Sequence, residues 1–300
     1  MSNTITIEPN SISTQDLHQL LLTAIAPRPI AFASTVDIEG NINLSPFSFF
    51  NVFSANPPIL VFSPARRGSN NTTKHSLDNV KEVKEVCINI VNFEIVEQMS
   101  LASTEYDKGI NEFIKSGLTP IASLKILPPR VAESPVSFEC VVEQIIALGT
   151  EGGAGNLVIC RVVNIHLNKN YLGEDGKLDT IKLDLVARLG KNWYARMIKE
   201  ALFEIEKPTN KGIGVDNLPV HVQNSLILTG NDLGRLGNCE LLPSCEIISK
   251  LKNQTKLKHI LELKNSVEIE FFFNQNRERC FKYKSQYDCY KKGEKTYGKC

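Results

Sequence analysis

The chain has 300 residues, with 34 Lys and Arg against 33 Asp and Glu and a formal net charge of +1. Bulk charge therefore draws it neither to nucleic acid nor to an anionic membrane. With 42% hydrophobic and 22% charged residues it has the composition of a globular chain with a packed core, far from disordered, collagen-like or membrane-embedded proteins.

The N-terminal segment MSNTITIEPN has no basic stretch leading into an apolar run. No segment reaches the roughly 18 apolar residues of a membrane span, so a cytoplasmic protein is expected. The run PIAFAST from Pro29 reads as a strand, Asp37-Ile38-Glu39-Gly40 as a hairpin turn, and the Phe-rich stretch and PPILVFS as further strands. From Thr73 the spacing becomes helical, with Leu77, Val80 and Val83 on one face, before CINIVN returns to a strand. Glu94 to Ala102 and Gly109 to Lys115 read as short helices. VSFECVVEQIIAL and NLVICRVVNIHL read as two long strands joined by the turn Glu151-Gly152-Gly153-Ala154-Gly155. That turn lacks the Lys-Ser/Thr end of a phosphate loop and links strand to strand, so a hairpin is expected.

Periodicity weakens from Leu185 to Asn238, a part expected to wrap on the core. Residues 271–300 carry eight Lys/Arg and three acids, a local +5, which leaves −4 on the first 270 residues. Tyrosines and a phenylalanine interleave with these lysines. This tail is read as solvated, without a specific nucleic-acid partner, and as dispensable for ligand binding. Eight cysteines at uneven spacings, without a C-x-x-C pair, signal neither a zinc ribbon nor a dithiol site, and no metal site is expected. Cys87, Cys140 and Cys160 lie in apolar strand runs and read as small buried hydrophobes. Cys280, Cys289 and Cys300 read as reduced thiols.

Chemistry concentrates between Ala26 and Ser76, where Ser, Thr and Asn crowd beside Phe and Pro, followed by Arg66, Arg67, Lys74 and a helix start. Apolar walls, hydroxyls and amides suit a planar ring with heteroatoms, and cations at a helix N-terminus suit a phosphate. Flavin mononucleotide (FMN) has both. Other readings stay open: Phe47, Phe49, Phe50 and Phe53 alternate as barrel core would, Pro27-Arg28-Pro29 serves equally as a rigid strand entry, and Arg66-Arg67 as a surface pair. His166 reads as a satisfied core or edge residue. His75 adjoins the proposed phosphate site, and Trp193-Tyr194 suits either packing or stacking near a ring.

The segments PRPIAFAST from Pro27, Asn43 to Asn51 (NLSPFSFFN), Asn56-Pro57-Pro58, Glu112-Phe113, Gly117-Leu118-Thr119, Pro129 to Pro135 (PRVAESP), Arg188-Leu189-Gly190, GIGVDNLP from Gly212 and LTGNDLG from Leu228 together resemble the flavin reductase-like family. The resemblance implies a mainly β protein with decorating helices, the FMN-binding split β-barrel. It divides the chain into an N-terminal arm (1–19), the barrel (20–180), a family extension wrapped on it (181–243) and a basic tail of unknown role (244–300). It also implies a homodimer with FMN near the seam. Carried onto this chain, Ser34, Thr35, Asn43, Ser45, Phe47 and Ser48 would line the ring and ribityl part, Arg28 would assist from the preceding motif, and Ser63, Arg66 or Arg67, Lys74 and Ser76 would hold the phosphate. Where the family commonly has Lys-Asp-Thr, this chain has Lys74-His75-Ser76, which keeps cation and hydroxyl but loses the acid.

No Ser-His-Asp order, HExxH or paired-carboxylate motif is present, so the cofactor is expected to carry the reaction and no catalytic side chain is assigned. The resulting expectation is an oxidoreductase passing electrons from NAD(P)H through FMN to a flavin or other acceptor. A flavoredoxin-like electron carrier reduced by a protein partner and a non-catalytic flavin-binding protein are the competing readings.

Overall fold

The computed structural model describes residues 3–205, 207–208, 211–242 and 244. The tail expected at 271–300 lies outside them. The chain forms two compact units, residues 1–203 and 204–300. In chain order the first contains α1 (Thr14–Ala24), β1 (Ala31–Val36), β2 (Ile42–Phe47), β3 (Phe50–Ala55), β4 (Pro58–Phe62), α2 (His75–Glu82), β5 (Glu85–Ile90), α3 (Val96–Leu101) and α4 (Glu112–Ser116). It continues with β6 (Pro120–Ile121), β7 (Arg130–Val131), β8 (Val136–Ala147), β9 (Asn156–Leu167), α5 (Thr180–Leu183), β10 (Val186–Arg188) and β11 (Tyr194–Arg196).

Seven of these strands form one antiparallel sheet in the order β2-β1-β5-β8-β9-β4-β3. Phe47, on the edge strand β2, nevertheless packs against Phe62 of β4, with ring centroids 5.3 Å apart. Two strands so far apart in the sheet order touch only if the sheet curls upon itself. Its ends are closed by side chains and left open in hydrogen bonding, which is a split barrel. Register shifts in the β8–β9 pair, between Glu139 and Cys140 and between Val142 and Gln144, mark the bulges that let these long strands bend.

Strand β1 is buried along its whole length because both of its faces are covered. Ala31 and Ala33 face the barrel core with Phe47, Phe62, Ile88, Cys140 and Cys160. Ile30 and Phe32 join an outer cluster with Leu44, Met99 and Phe113, capped by α3 and α4. Cys87, Cys140 and Cys160 are buried free thiols, and burial pushes all three up.

The helix expected from Thr73 is α2. Leu77 and Val80 seal the barrel mouth, and at Lys84 the backbone turns left-handed (φ +46°), which ends the helix and starts β5 two residues before the expected Cys87. The reading of the Phe-rich stretch as core holds at Phe47 but not at Phe53. Strand β3 is an edge strand with one face open, and Phe53 on it is 68% exposed. The glycine-rich segment is the expected hairpin turn, with Gly153 at φ +90°. Beyond β9, Arg28 and Arg188 exchange backbone hydrogen bonds of 2.9 and 2.8 Å, tying the β10–β11 hairpin to the entry of β1.

The second unit contains α6 (Val220–Gln223) and α7 (Gly230–Gly237). Thr229 and Asp232 form a reciprocal capping box at the start of α7. A Cβ on Gly212 would lie 2.7 Å from the Gly237 carbonyl oxygen, so the two glycines permit a close backbone approach between the GIGVDNLP motif and the end of α7, just after LTGNDLG.

Candidate ligand-binding site

At the head of α2 lies an open recess lined by Asn43, Ser45, Arg67, Lys74, His75, Ser76, Ser103, Thr104, Glu105, Tyr106 and Glu112. Three levels of structure build it. Strand β2 presents Asn43 and Ser45 on alternate positions. The loop from β4 to α2 brings Arg67, and the first turn of α2 brings Lys74, His75 and Ser76. Lys74 occupies the N-cap position and supplies no side-chain cap, so the opening turn presents amide groups without a side-chain acceptor. The segment after α3 and the start of α4 form the opposite wall.

Within the recess Asn43 donates from Nδ2 to Ser76 Oγ at 2.8 Å, which locks strand to helix. One turn deeper, Asn79 Nδ2 donates to Thr35 Oγ1 at 3.1 Å. Arg67 donates from one terminal nitrogen to Thr72 Oγ1 at 2.9 Å and also to the Thr73 carbonyl oxygen, and its guanidinium pairs with Glu105. Burial, followed by the nearby Arg67, holds Lys74 below the usual ammonium range, with Glu105 acting in the opposite sense. His75 is lowered by burial and then by Arg67. Glu112 accepts the Leu44 backbone N–H at 2.9 Å, and burial raises its carboxyl despite that bond.

The arginine-bearing loop is braced from behind by the β8–β9 turn. Arg66 N–H donates to the Ala154 carbonyl at 2.8 Å, and Gly153 N–H donates to the Arg66 carbonyl at 3.0 Å. A Cβ on Gly152 would sit 3.1 Å from the Arg67 carbonyl oxygen, and one on Gly155 would sit 2.7 Å from Ser63 Oγ. The turn expected to be a plain hairpin is therefore also the wall on which the cationic loop rests.

Of the residues singled out from sequence, Asn43, Ser45, Arg67, Lys74 and Ser76 line the recess together. The remainder take other positions. Ser34 and Thr35 are fully buried on β1, and Ser34 Oγ has no hydrogen-bond partner there. Phe47 is in the barrel core, Ser63 lies buried beneath Gly155, and Arg66 donates to the Asn71 side chain at 2.6 Å. Arg28 is buried and donates to the carbonyls of Leu22, Ile25 and Leu189 at 2.5, 2.5 and 3.0 Å, with Ser48 Oγ at 3.5 Å from its Nε. It thereby ties the end of α1 to the segment after β10. Tyr194 packs under Arg188 at 4.6 Å, and Trp193 is exposed. His166 Nε2 lies 2.5 Å from the buried carboxylate of Glu139 and is satisfied, as its strand position suggests.

Sequence reasoning missed the wall formed by Ser103 to Tyr106 and by Glu112. Glu112-Phe113 belongs to the motif set but carries no local sign of a role. Among the described residues no cluster of three His, Cys, Asp or Glu is placed to hold a metal ion, and no helix is long and apolar enough to cross a membrane.

Residues 23–182 match the family described as flavin reductase like domain. An uncharacterized protein of Halalkalibacterium halodurans is 35% identical over 205 residues, covering 68% of this chain and 96% of the relative. Among solved structures, nitrilotriacetate monooxygenase component B from Bacillus cereus is similar, with 31% identity and a TM-score of 0.63 over 68% of this chain and all (100%) of that one. The Pseudomonas fluorescens 2-nitrobenzoate 2-nitroreductase NbaA, at 23% identity and a TM-score of 0.60 over 67% of this chain and 96% of its own, shares the fold.

Proposed function

From a chain that belongs to the flavin reductase-like family, we propose an FMN-binding oxidoreductase that passes electrons from NAD(P)H through FMN to a free flavin or another acceptor. The observation that carries this reading is the convergence of Arg67, Lys74 and Ser76 with Asn43 and Ser45 in one recess at the head of α2. The donor set fits the group. Arg67 and Lys74 offer a fork and a point charge for a phosphate dianion, Ser76 and the first amides of α2 offer neutral donors, and Asn43 and Ser45 offer partners for ribityl hydroxyls.

FMN, when bound, supplies the hydride and electron chemistry, and the chain's own residues bind and orient it. Arg67 is held by Thr72 and Thr73, which fixes the direction of its guanidinium at the recess. Of the remaining sequence candidates, Thr35 braces α2 from behind through Asn79, and Arg66 holds the loop that carries Arg67 through Asn71. Arg28 fixes the strand entry that sets the position of β1. None of these residues is assigned a proton-transfer step.

The similar Bacillus cereus protein bears the name of a monooxygenase component, which supports an acceptor that is a separate oxygenase or its flavin. A homodimer is part of the same proposal: the exposed Val52 and Phe53 on β3, with Ile146 and Leu148 near the β8–β9 turn, are apolar side chains that a second copy would cover.

Stopped-flow reduction of the FMN-loaded protein by NADH and by NADPH tests the function. Flavin bleaching on mixing is the expected result. Bound flavin that stays oxidised with both nucleotides, yet accepts electrons from a reduced protein donor, would make the protein a carrier instead. A protein that takes up no flavin would overturn the reading.

A further inference from the structure

The recess combines cations with an acid that its phosphate-binding reading does not use. Glu105 pairs directly with the Arg67 guanidinium. It also lies close enough to Lys74 and His75 to act electrostatically on both. Arg67 is largely buried in this pair, with its side chain 12% exposed, whereas the Glu105 side chain is 58% exposed. The two partners are thus held differently. Arg67 is fixed by Thr72 and Thr73, while Glu105 belongs to the segment after α3, whose hydrogen bonds there include short turn contacts such as Tyr106 N–H to Thr104 O at 3.0 Å.

An exposed carboxylate facing a fixed, largely buried guanidinium competes with any incoming anion for the same donors. We propose that Glu105 is a specificity-determining residue that occupies Arg67 as a resident anion, so that a free inorganic anion gains little by displacing it and only a phosphate anchored by its flavin ring does. This rests on the flavin reading of the recess and adds to it a reason for selectivity. A ligand tethered by ring contacts meets the guanidinium at high effective concentration, whereas free phosphate does not. The discrimination comes from an opposing charge built into the site rather than from an additional contact to the ligand.

The proposal separates from the alternative in which Glu105 merely steadies Arg67 for the ligand. With Glu105→Gln, removal of the competing charge should strengthen FMN binding about two- to fivefold, the range of an exposed ion pair, and leave riboflavin unchanged. Inorganic phosphate, measured as a competitor of FMN and by direct calorimetric titration, should tighten by a larger factor than FMN does, and an equal gain for both ligands would overturn the selectivity. In an Arg67→Ala background the Glu105→Gln change should have a clearly smaller effect on either ligand, what remains being its action on Lys74 and His75, whereas a general structural role of the loop would give the same effect in both backgrounds. Glu105→Ala serves as a second variant should glutamine keep a hydrogen bond to Arg67.

Weaker or unchanged FMN and phosphate binding in both variants would overturn the proposal and make Glu105 a positioning residue or a bystander. If the wild-type protein binds no flavin, the functional reading fails separately. The direct phosphate titration of wild type against Glu105→Gln still decides whether Glu105 opposes an anion at Arg67.

Discussion

Two cations near the family motif have opposite surroundings, and that difference decides what each substitution should do. Lys74 stands at the N-cap of α2 beside Arg67, with no acid in direct contact, so its charge is available to a ligand. Lys74→Ala should weaken FMN ten- to a hundredfold, the loss of a charge-assisted contact worth about 1.5–3 kcal/mol, and should hardly change riboflavin. Equal losses for both ligands in fluorescence titrations would show a structural lysine. Arg28, although it lies in the most recognisable motif, directs its donors to three backbone carbonyls. Arg28→Ala should therefore lower stability by about 1–3 kcal/mol, read from urea unfolding, and leave the ratio of FMN to riboflavin affinity unchanged in the folded protein.

At the level of elements, two buried carboxylates fasten strands to the segments that cover them, and their linkage to pH has opposite sign. Burial alone would raise Glu139, but donors from Leu124, His166, Lys125 and Asn164 outweigh it and hold the carboxyl below its ordinary value. Its two backbone bonds, 2.8 Å from Leu124 and 2.7 Å from Lys125, pin the loop before β7 onto β8. A depressed folded value means that this contribution is complete above the unfolded value of about 4.3 and is lost as pH falls through the folded one. Glu139→Gln should accordingly be destabilising at pH 7 and converge on wild type in acid. Glu112 is raised by burial, so its contribution runs the other way: stability declines as pH rises from about 4.3 through the raised folded value. Glu112→Gln keeps an acceptor for the Leu44 amide and should be as stable as wild type or more so at pH 7. Urea midpoints for both variants at pH 3.5 and pH 7 test the pair. A Glu112→Gln protein clearly weaker at pH 7 would mean that the ionised form is held by a partner.

For the whole molecule, the decisive surface is the edge of the sheet. Strand β3 leaves one side unpaired and carries Val52 and Phe53 at 62% and 68% exposure, an arrangement that invites association. Light scattering should give the mass of a dimer. Phe53→Glu, which puts a charge in the middle of that surface, should shift the protein to a monomer that still unfolds cooperatively, at a midpoint that no longer depends on protein concentration. A wild-type monomer at micromolar concentration would remove the proposed seam, and with it the placement of flavin beside a second subunit.

Local chemistry determined much of this protein from sequence. Short apolar runs broken by turn residues marked the strands, the helical spacing of Leu77 and Val80 set the face of α2, and the cations and hydroxyls up to Ser76 marked the candidate ligand end. The motif set pointed to the fold as a whole. Tertiary structure decided which polar groups are left to meet a ligand. Arg28 and Arg67 look alike in the sequence, yet one is directed to carbonyls brought from as far as Leu189 and the other opens onto the recess, opposite Glu105. Phe47 and Phe53 belong to one aromatic run, yet curling of the sheet buries the first and leaves the second outside. Periodicity describes a residue relative to its own element. Barrel closure joins segments tens of residues apart, and it is this joining that sets the partner, burial and charge of each site residue.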